Sequence, residues 1–185
     1  MLHPELFSAV YALHPVGTGT GVRPMQTVLD WKRLHEAQTF AALWDIDHYA
    51  PGFVAMSQAY LPNPDRPPFY CDFIVELENG EPVLAIENLE KLQAGFLLDR
   101  LLPDYGRNLR RMRGIAFDWG RYDPTQSHVY ANQAFTRTLD NLGIEHSAEE
   151  YNGNHYDKNW IEHGRVEERM LPFFGRMLRF EPGER

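Results

Sequence analysis

Gly114-Ile115-Ala116-Phe117-Asp118 decides the fold. Its apolar run reads as a strand buried on both faces, and strands of that kind belong to parallel sheets covered by helices. Downstream, residues 127–142 carry Val129, Ala131, Ala134, Phe135, Thr138, Leu139 and Leu142 along one helical stripe, and Gly143 stands where a helix C-cap is expected. A strand over 147–151 and a last helix over 159–178 follow. Strand, helix, strand and helix in this order imply parallel strands joined by right-handed crossovers, hence an α/β fold with a mainly parallel sheet.

Upstream the pattern is more broken. Ser8-Ala9-Val10-Tyr11-Ala12-Leu13 reads as a short apolar strand ended by His14-Pro15, and the glycine-rich stretch 16–22 as a flexible connector, since its spacing misses both the dinucleotide and the P-loop signatures. Helices are expected over 31–44, 53–60, 89–97 and 101–112. The prolines at 62, 64, 67 and 68 force a surface loop, and Glu78-Asn79-Gly80-Glu81 between apolar runs signals a hairpin with strands over 73–77 and 82–86.

Composition bounds the function. The 185 residues suit one domain, because a chain of this size buries roughly 70% of its unfolded surface in a single core. A net charge of -8 argues against nucleic-acid backbones as partners, and the basic run Arg107 to Arg113 reads as a solvated helix end. Cys71 is the only cysteine, which excludes an internal disulfide and a cysteine metal cluster. No apolar run approaches the ~20 residues that span a bilayer and no signal core opens the chain, so no compartment is assigned, with the cytoplasm as the default.

Two loops carry the chemistry. In open parallel sheets ligands bind beyond the carboxyl ends of the strands, and both the 118–123 loop and the Asn152-Gly153-Asn154-His155 loop fall there. A carboxylate on one imidazole nitrogen fixes the tautomer and leaves the other nitrogen to take a proton, so His155 with Asp123 or Asp118 reads as an acid and base pair. Gly153 is expected to turn the backbone sharply enough to aim the ring into the cleft. No Gly-x-Ser-x-Gly pentapeptide occurs, and Ser8, Ser57, Ser127 and Ser147 lack elbow glycines. A metal site at Asp45, Asp47 and His48, or at His155 with Asp157, lacks ligand spacing, so no metal or cofactor is expected.

Ile115-Ala116-Phe117-Asp118-Trp119-Gly120 with Asp123, Leu142-Gly143-Ile144-Glu145-His146, Glu149 to His155 and Met170-Leu171-Pro172-Phe173-Phe174 together resemble the C-terminal half of one α/β-hydrolase family. It is the family of esterase D, enterochelin esterases and mycolyltransferases. The resemblance extends to Ala59-Tyr60-Leu61-Pro62-Asn63-Pro64, Pro67-Pro68-Phe69-Tyr70 and His3-Pro4-Glu5-Leu6-Phe7-Ser8-Ala9-Val10, which covers nearly the whole chain. It implies a three-layer α/β-hydrolase-type sandwich without its first strands and nucleophile elbow, a serine esterase acting on a small-molecule ester, Asp123 as triad acid and His155 as base. Residues 16–113 become a connecting, cap-like helical region in which Trp44 and Tyr60 line substrate, and 114–185 carry the acid and histidine loops.

The competing reading is a non-catalytic remnant that binds or self-associates. Without its first strands the sheet ends at the strand before His14, and an unprotected edge seeks another strand. Size-exclusion chromatography is then expected to find a homo-oligomer; a clean, folded monomer would contradict it.

Overall fold

The computed structural model describes residues 2–19 and 29–180. The chain divides into two compact units, one formed by Met1–Val22 with Leu97–Arg185 and the other by Arg23–Phe96.

The first unit is built on strand β4, Gly114–Gly120, which lies between β1, Ala9–Leu13, and β5, Ser147–Tyr151, in a parallel sheet of order β1-β4-β5. Alternate residues of β4 face opposite sides, as strand geometry requires. Ile115, Phe117 and Trp119 join Leu102 and Leu109 of helix α5, Leu98–Leu109, and Val129, Phe135 and Leu139 of helix α6, Gln126–Asn141. On the other face, a Cβ at Gly114 would press on Phe173 and Met177 of helix α7, Leu171–Met177, and Tyr11 of β1 meets Phe173 edge-on at 5.4 Å. The result is a mixed α/β unit whose central strand is buried on both faces, as its uninterrupted apolar run predicts.

The end of α6 is closed as the sequence suggests. Gly143 adopts φ +62, its N–H bonds to the Asp140 carbonyl, and the Ile144 N–H bonds to the Leu139 carbonyl. That is the two-bond glycine cap that aims the chain into β5.

The second unit packs Leu34, Leu43, Val54 and Ile74 at its centre. It holds helices α1, Trp31–Glu36, α2, Phe40–Trp44, α3, Ala50–Tyr60, and α4, Ile86–Phe96, with the antiparallel strands β2, Val75–Glu78, and β3, Glu81–Leu84. Asn79 and Gly80 both take positive φ, 53° and 79°, the hairpin turn that Asn-Gly favours. The proline loop is pinned by Arg66, which reaches both carboxylate oxygens of Glu76 at 2.6 and 2.9 Å and Asp72 at 3.0 Å.

Three expectations are corrected. The helix over 31–44 is two helices, because Ala37 turns extended and the Thr39 hydroxyl accepts the Ala42 N–H to start a new one. The last helix does not run over 159–178. His163 at φ +56 and Gly164, where a Cβ would strike the Lys158 and Ile161 carbonyls, reverse the chain, and only the π-helical turn Val166–Met170 and α7 follow. The stretch 16–22 is anchored at least up to residue 19, since the Thr18 hydroxyl bonds to Asn132 at 2.7 Å and the Gly17 carbonyl accepts the Leu98 N–H; residues 20–22 lie outside the described residues.

Leu139 is fully buried between α6 and the sheet. Leu139→Ala should therefore lower the unfolding free energy by about 2–5 kcal/mol in urea titration. A loss under about 1 kcal/mol would show that this interface is not the packed core.

Candidate functional site

Because β1, β4 and β5 run parallel and adjacent, their carboxyl ends open on the same rim of the sheet. His14 leaves the end of β1, Asp123 follows β4 and His155 follows β5. His128 joins them from the first turn of α6. The ligand-capable atoms of these four side chains all lie within 4.8 Å of one another.

Backbone contacts bring the loops together. The Arg121 and Tyr122 N–H groups bond to the Tyr151 and Gly153 carbonyls, so the acid loop is tied to the histidine loop. Gly120 allows this approach, since a Cβ there would collide with the Gly153 and Asn154 carbonyls. Gly153 acts through size and not through a turn: it is not among the positive-φ glycines, and a Cβ would meet the Tyr151 ring and the Asp157 carboxylate. Asn154 and Asp157 build the rest of the loop, with the Asn154 side chain accepting from the Tyr156 and Asp157 N–H groups and Asp157 accepting from the Asn154 N–H.

Asp123 is the hub, with its side chain only 2% exposed. Its Oδ1 accepts the Thr125 N–H at 2.6 Å. Its Oδ2 lies 2.7 Å from His155 Nδ1, 2.5 Å from His14 Nε2 and 3.8 Å from His128 Nδ1. Burial pushes the Asp123 carboxyl up, but the bonds from His155 and Thr125 and the nearby His14 outweigh it and hold the group below the usual range. A carboxylate only accepts, so the proton of the His155 bond sits on Nδ1, and in the neutral ring Nε2 then carries the lone pair. At 23% the His155 side chain is the most exposed of the four, and its ring lies 4.0 Å from that of His14 and 4.3 Å from that of Tyr156.

The other two histidines are held neutral. Burial, then the neighbouring His155, pushes His14 down to about 4 against the weaker pull of Asp123, and burial likewise lowers His128. The Gly120 N–H donates to His14 Nδ1 at 3.1 Å, which places the ring proton on Nε2. That nitrogen faces Asp123 but lies out of hydrogen-bonding alignment, and among the described residues His128 Nδ1 is likewise buried without a hydrogen-bond partner.

Asp118, the alternative acid, is committed elsewhere. Its fully buried carboxylate accepts from the Tyr11 hydroxyl at 2.5 Å and from Arg165 Nε at 2.9 Å, on the sheet face toward α7, and burial pushes it up despite both donors. Asp157 serves its own loop, and His48, whose Nδ1 is 3.7 Å from Asp47, is an exposed side chain. Trp44, 64% exposed at the end of α2, and Tyr60, packed edge-on against Phe96, belong to the Arg23–Phe96 unit. His14 and His128 were not picked out by sequence; the available signal was the position of His14 directly after an apolar strand. No protein-family model matches the chain, and no curated protein does.

The low value of His14 gives a pH dependence with a definite sign. The unfolded histidine takes up its proton near 6.5 and the folded one near 4, so the stabilisation is present above about pH 6.5 and is lost as pH falls toward 4. Urea unfolding should record a loss of up to about 3 kcal/mol across that window, smaller in His14→Phe. An identical loss in that variant would assign the dependence to other groups.

Proposed function

We propose that Asp123 and His155 are the acid and general base of a serine-type carboxylic ester hydrolase of the α/β-hydrolase class. The supporting observation is the 2.7 Å contact between Asp123 Oδ2 and His155 Nδ1 at the carboxyl ends of adjacent parallel strands. The acid precedes the histidine in the chain, as in the Ser, Asp, His order of that class.

In this reading a serine hydroxyl attacks the ester carbonyl while His155 Nε2 accepts its proton. Asp123 holds the ring and stabilises the imidazolium. The proton returns from Nε2 to the leaving alcohol, and water releases the acyl group by the same route. No cofactor takes part. The nucleophile is a serine on a Gly-x-Ser-x-Gly turn, which these 185 residues do not contain. The substrate is a small-molecule ester.

The acid and base assignment is testable on the chain itself. Long-range proton–nitrogen spectra should find neutral His155 protonated on Nδ1, and Asp123→Asn should shift the proton toward Nε2; a ring already protonated on Nε2 would end the assignment. The 185 residues alone should hydrolyse p-nitrophenyl acetate no faster than their His155→Ala variant. Joined to a serine elbow, they should show a His155-dependent rate that Asp123→Asn lowers by about 10⁴. A His155-dependent burst from the chain alone would place the nucleophile among Ser8, Ser57, Ser127 and Ser147.

A further inference from the structure

His128 has no part in that mechanism, yet its Nδ1 is buried, lacks a hydrogen-bond partner among the described residues and lies 3.8 Å from the carboxylate hub. We propose that Asp123, His128 and His155 form a site for one zinc-class divalent cation, and that the cation switches His155 from the Nδ1-protonated to the Nε2-protonated tautomer.

The 3.8 Å between His128 Nδ1 and Asp123 Oδ2 is too long for a hydrogen bond. It is near the roughly 3.3 Å that separates two ligands each about 2.0 Å from one tetrahedral zinc ion. His155 Nδ1, hydrogen-bonded to the same oxygen at 2.7 Å, is the third donor once its proton has left and the pair has opened by roughly 0.6 Å. Two imidazoles and one carboxylate suit zinc and its neighbours, whereas calcium and magnesium select oxygen. Three protein ligands leave a fourth position for water, and the partly exposed His155 side gives a way in. The Thr125 N–H on Asp123 Oδ1 and the Asn159 amide on the His155 carbonyl brace the ligands from outside.

Proximity alone would count His14 as a fourth ligand, but proton bookkeeping rejects it. Its Nδ1 lone pair is engaged by the Gly120 N–H, so its proton is on Nε2. Ligation through Nε2 would leave the ring without a proton, as imidazolate. His14 therefore stays beside Asp123 as a neutral neighbour and not as a ligand.

The metal and the hydrolase step compete for one atom. For a cation to bind His155 Nδ1, the proton there must leave to solvent while Nε2 takes one up, so the ring stays neutral and the proton count is unchanged. A ring carrying its proton on Nε2 cannot accept one from a serine. The occupied site is therefore an off state, a consequence that rests on the hydrolase reading; the binding itself does not.

The test is a zinc chloride titration of the full chain labelled with ¹⁵N-histidine, followed by calorimetry and long-range proton–nitrogen spectra. One tight zinc per chain is expected, with the Nδ1 signals of His128 and His155 displaced, the His155 proton moved to Nε2 and the His14 tautomer unchanged. His128→Gln should weaken binding at least about tenfold, no less than the loss of an outer partner costs, and leave the metal-free His155 tautomer unaltered. Displacement confined to the exposed His3, His48 and His163, ligation by His14 in place of His128, or undiminished affinity in His128→Gln would overturn the site. The wild-type spectra decide the ligands even if that variant does not fold. A metal-free His155 protonated on Nε2 would instead sink the hydrolase reading and leave the metal site standing.

Discussion

Gly120 is the residue on which the site depends, because it satisfies two demands that no other amino acid could meet together. Its N–H reaches back to His14 Nδ1 and decides where the proton of that ring lies. Its missing side chain makes room for the Gly153 and Asn154 carbonyls, so the loop that carries His155 can lie against the end of β4. As the last residue of β4 it is also in register with Tyr151, the last residue of β5. A methyl group here would push the histidine loop away from the acid loop, and the 2.7 Å Asp123 contact could not survive a displacement of even one ångström.

The electrostatics of the rim follow from burial and from one carboxylate shared among three imidazoles. A charged imidazolium pays for lost hydration, and a second one nearby adds repulsion, so the carboxylate cannot keep all three protonated. The structure divides them by depth. His14 and His128 sit inside and are held neutral, while His155 is left where solvent can reach it. Asp118 lies within β4 on the sheet face toward α7, and the Tyr11 and Arg165 donors there bind it into the framework.

Much of this organisation was legible in the chain because it is local. The apolar run of β4, the glycine cap after α6 and the Asn-Gly turn each depend on residues within a few positions, and each is found where the pattern places it. The break at Ala37 and the turns that replace helix before Arg165 were not legible, since a hydroxyl cap decides the first and the positive φ of His163 marks the second. His14 and His128 escaped for a different reason. The meaning of His14 lies in strand register, which puts residues more than a hundred positions apart within hydrogen-bonding range, and that of His128 in the first turn of α6, which brings its ring to Asp123.

Two histidines on one carboxylate oxygen would be redundant if they were chemically alike, but their opposite nitrogens are engaged differently. A backbone donor on Nδ1 puts the His14 proton on Nε2, whereas His155 meets the carboxylate through Nδ1. The fold thus sets proton position by choosing which nitrogen faces a donor and which an acceptor, a device that needs no charge. It also explains why His14 can be buried beside an ionised Asp123 without becoming an imidazolium. Burial disfavours the charged ring, and a second proton, on Nδ1, would add the loss of the Gly120 bond to that desolvation cost.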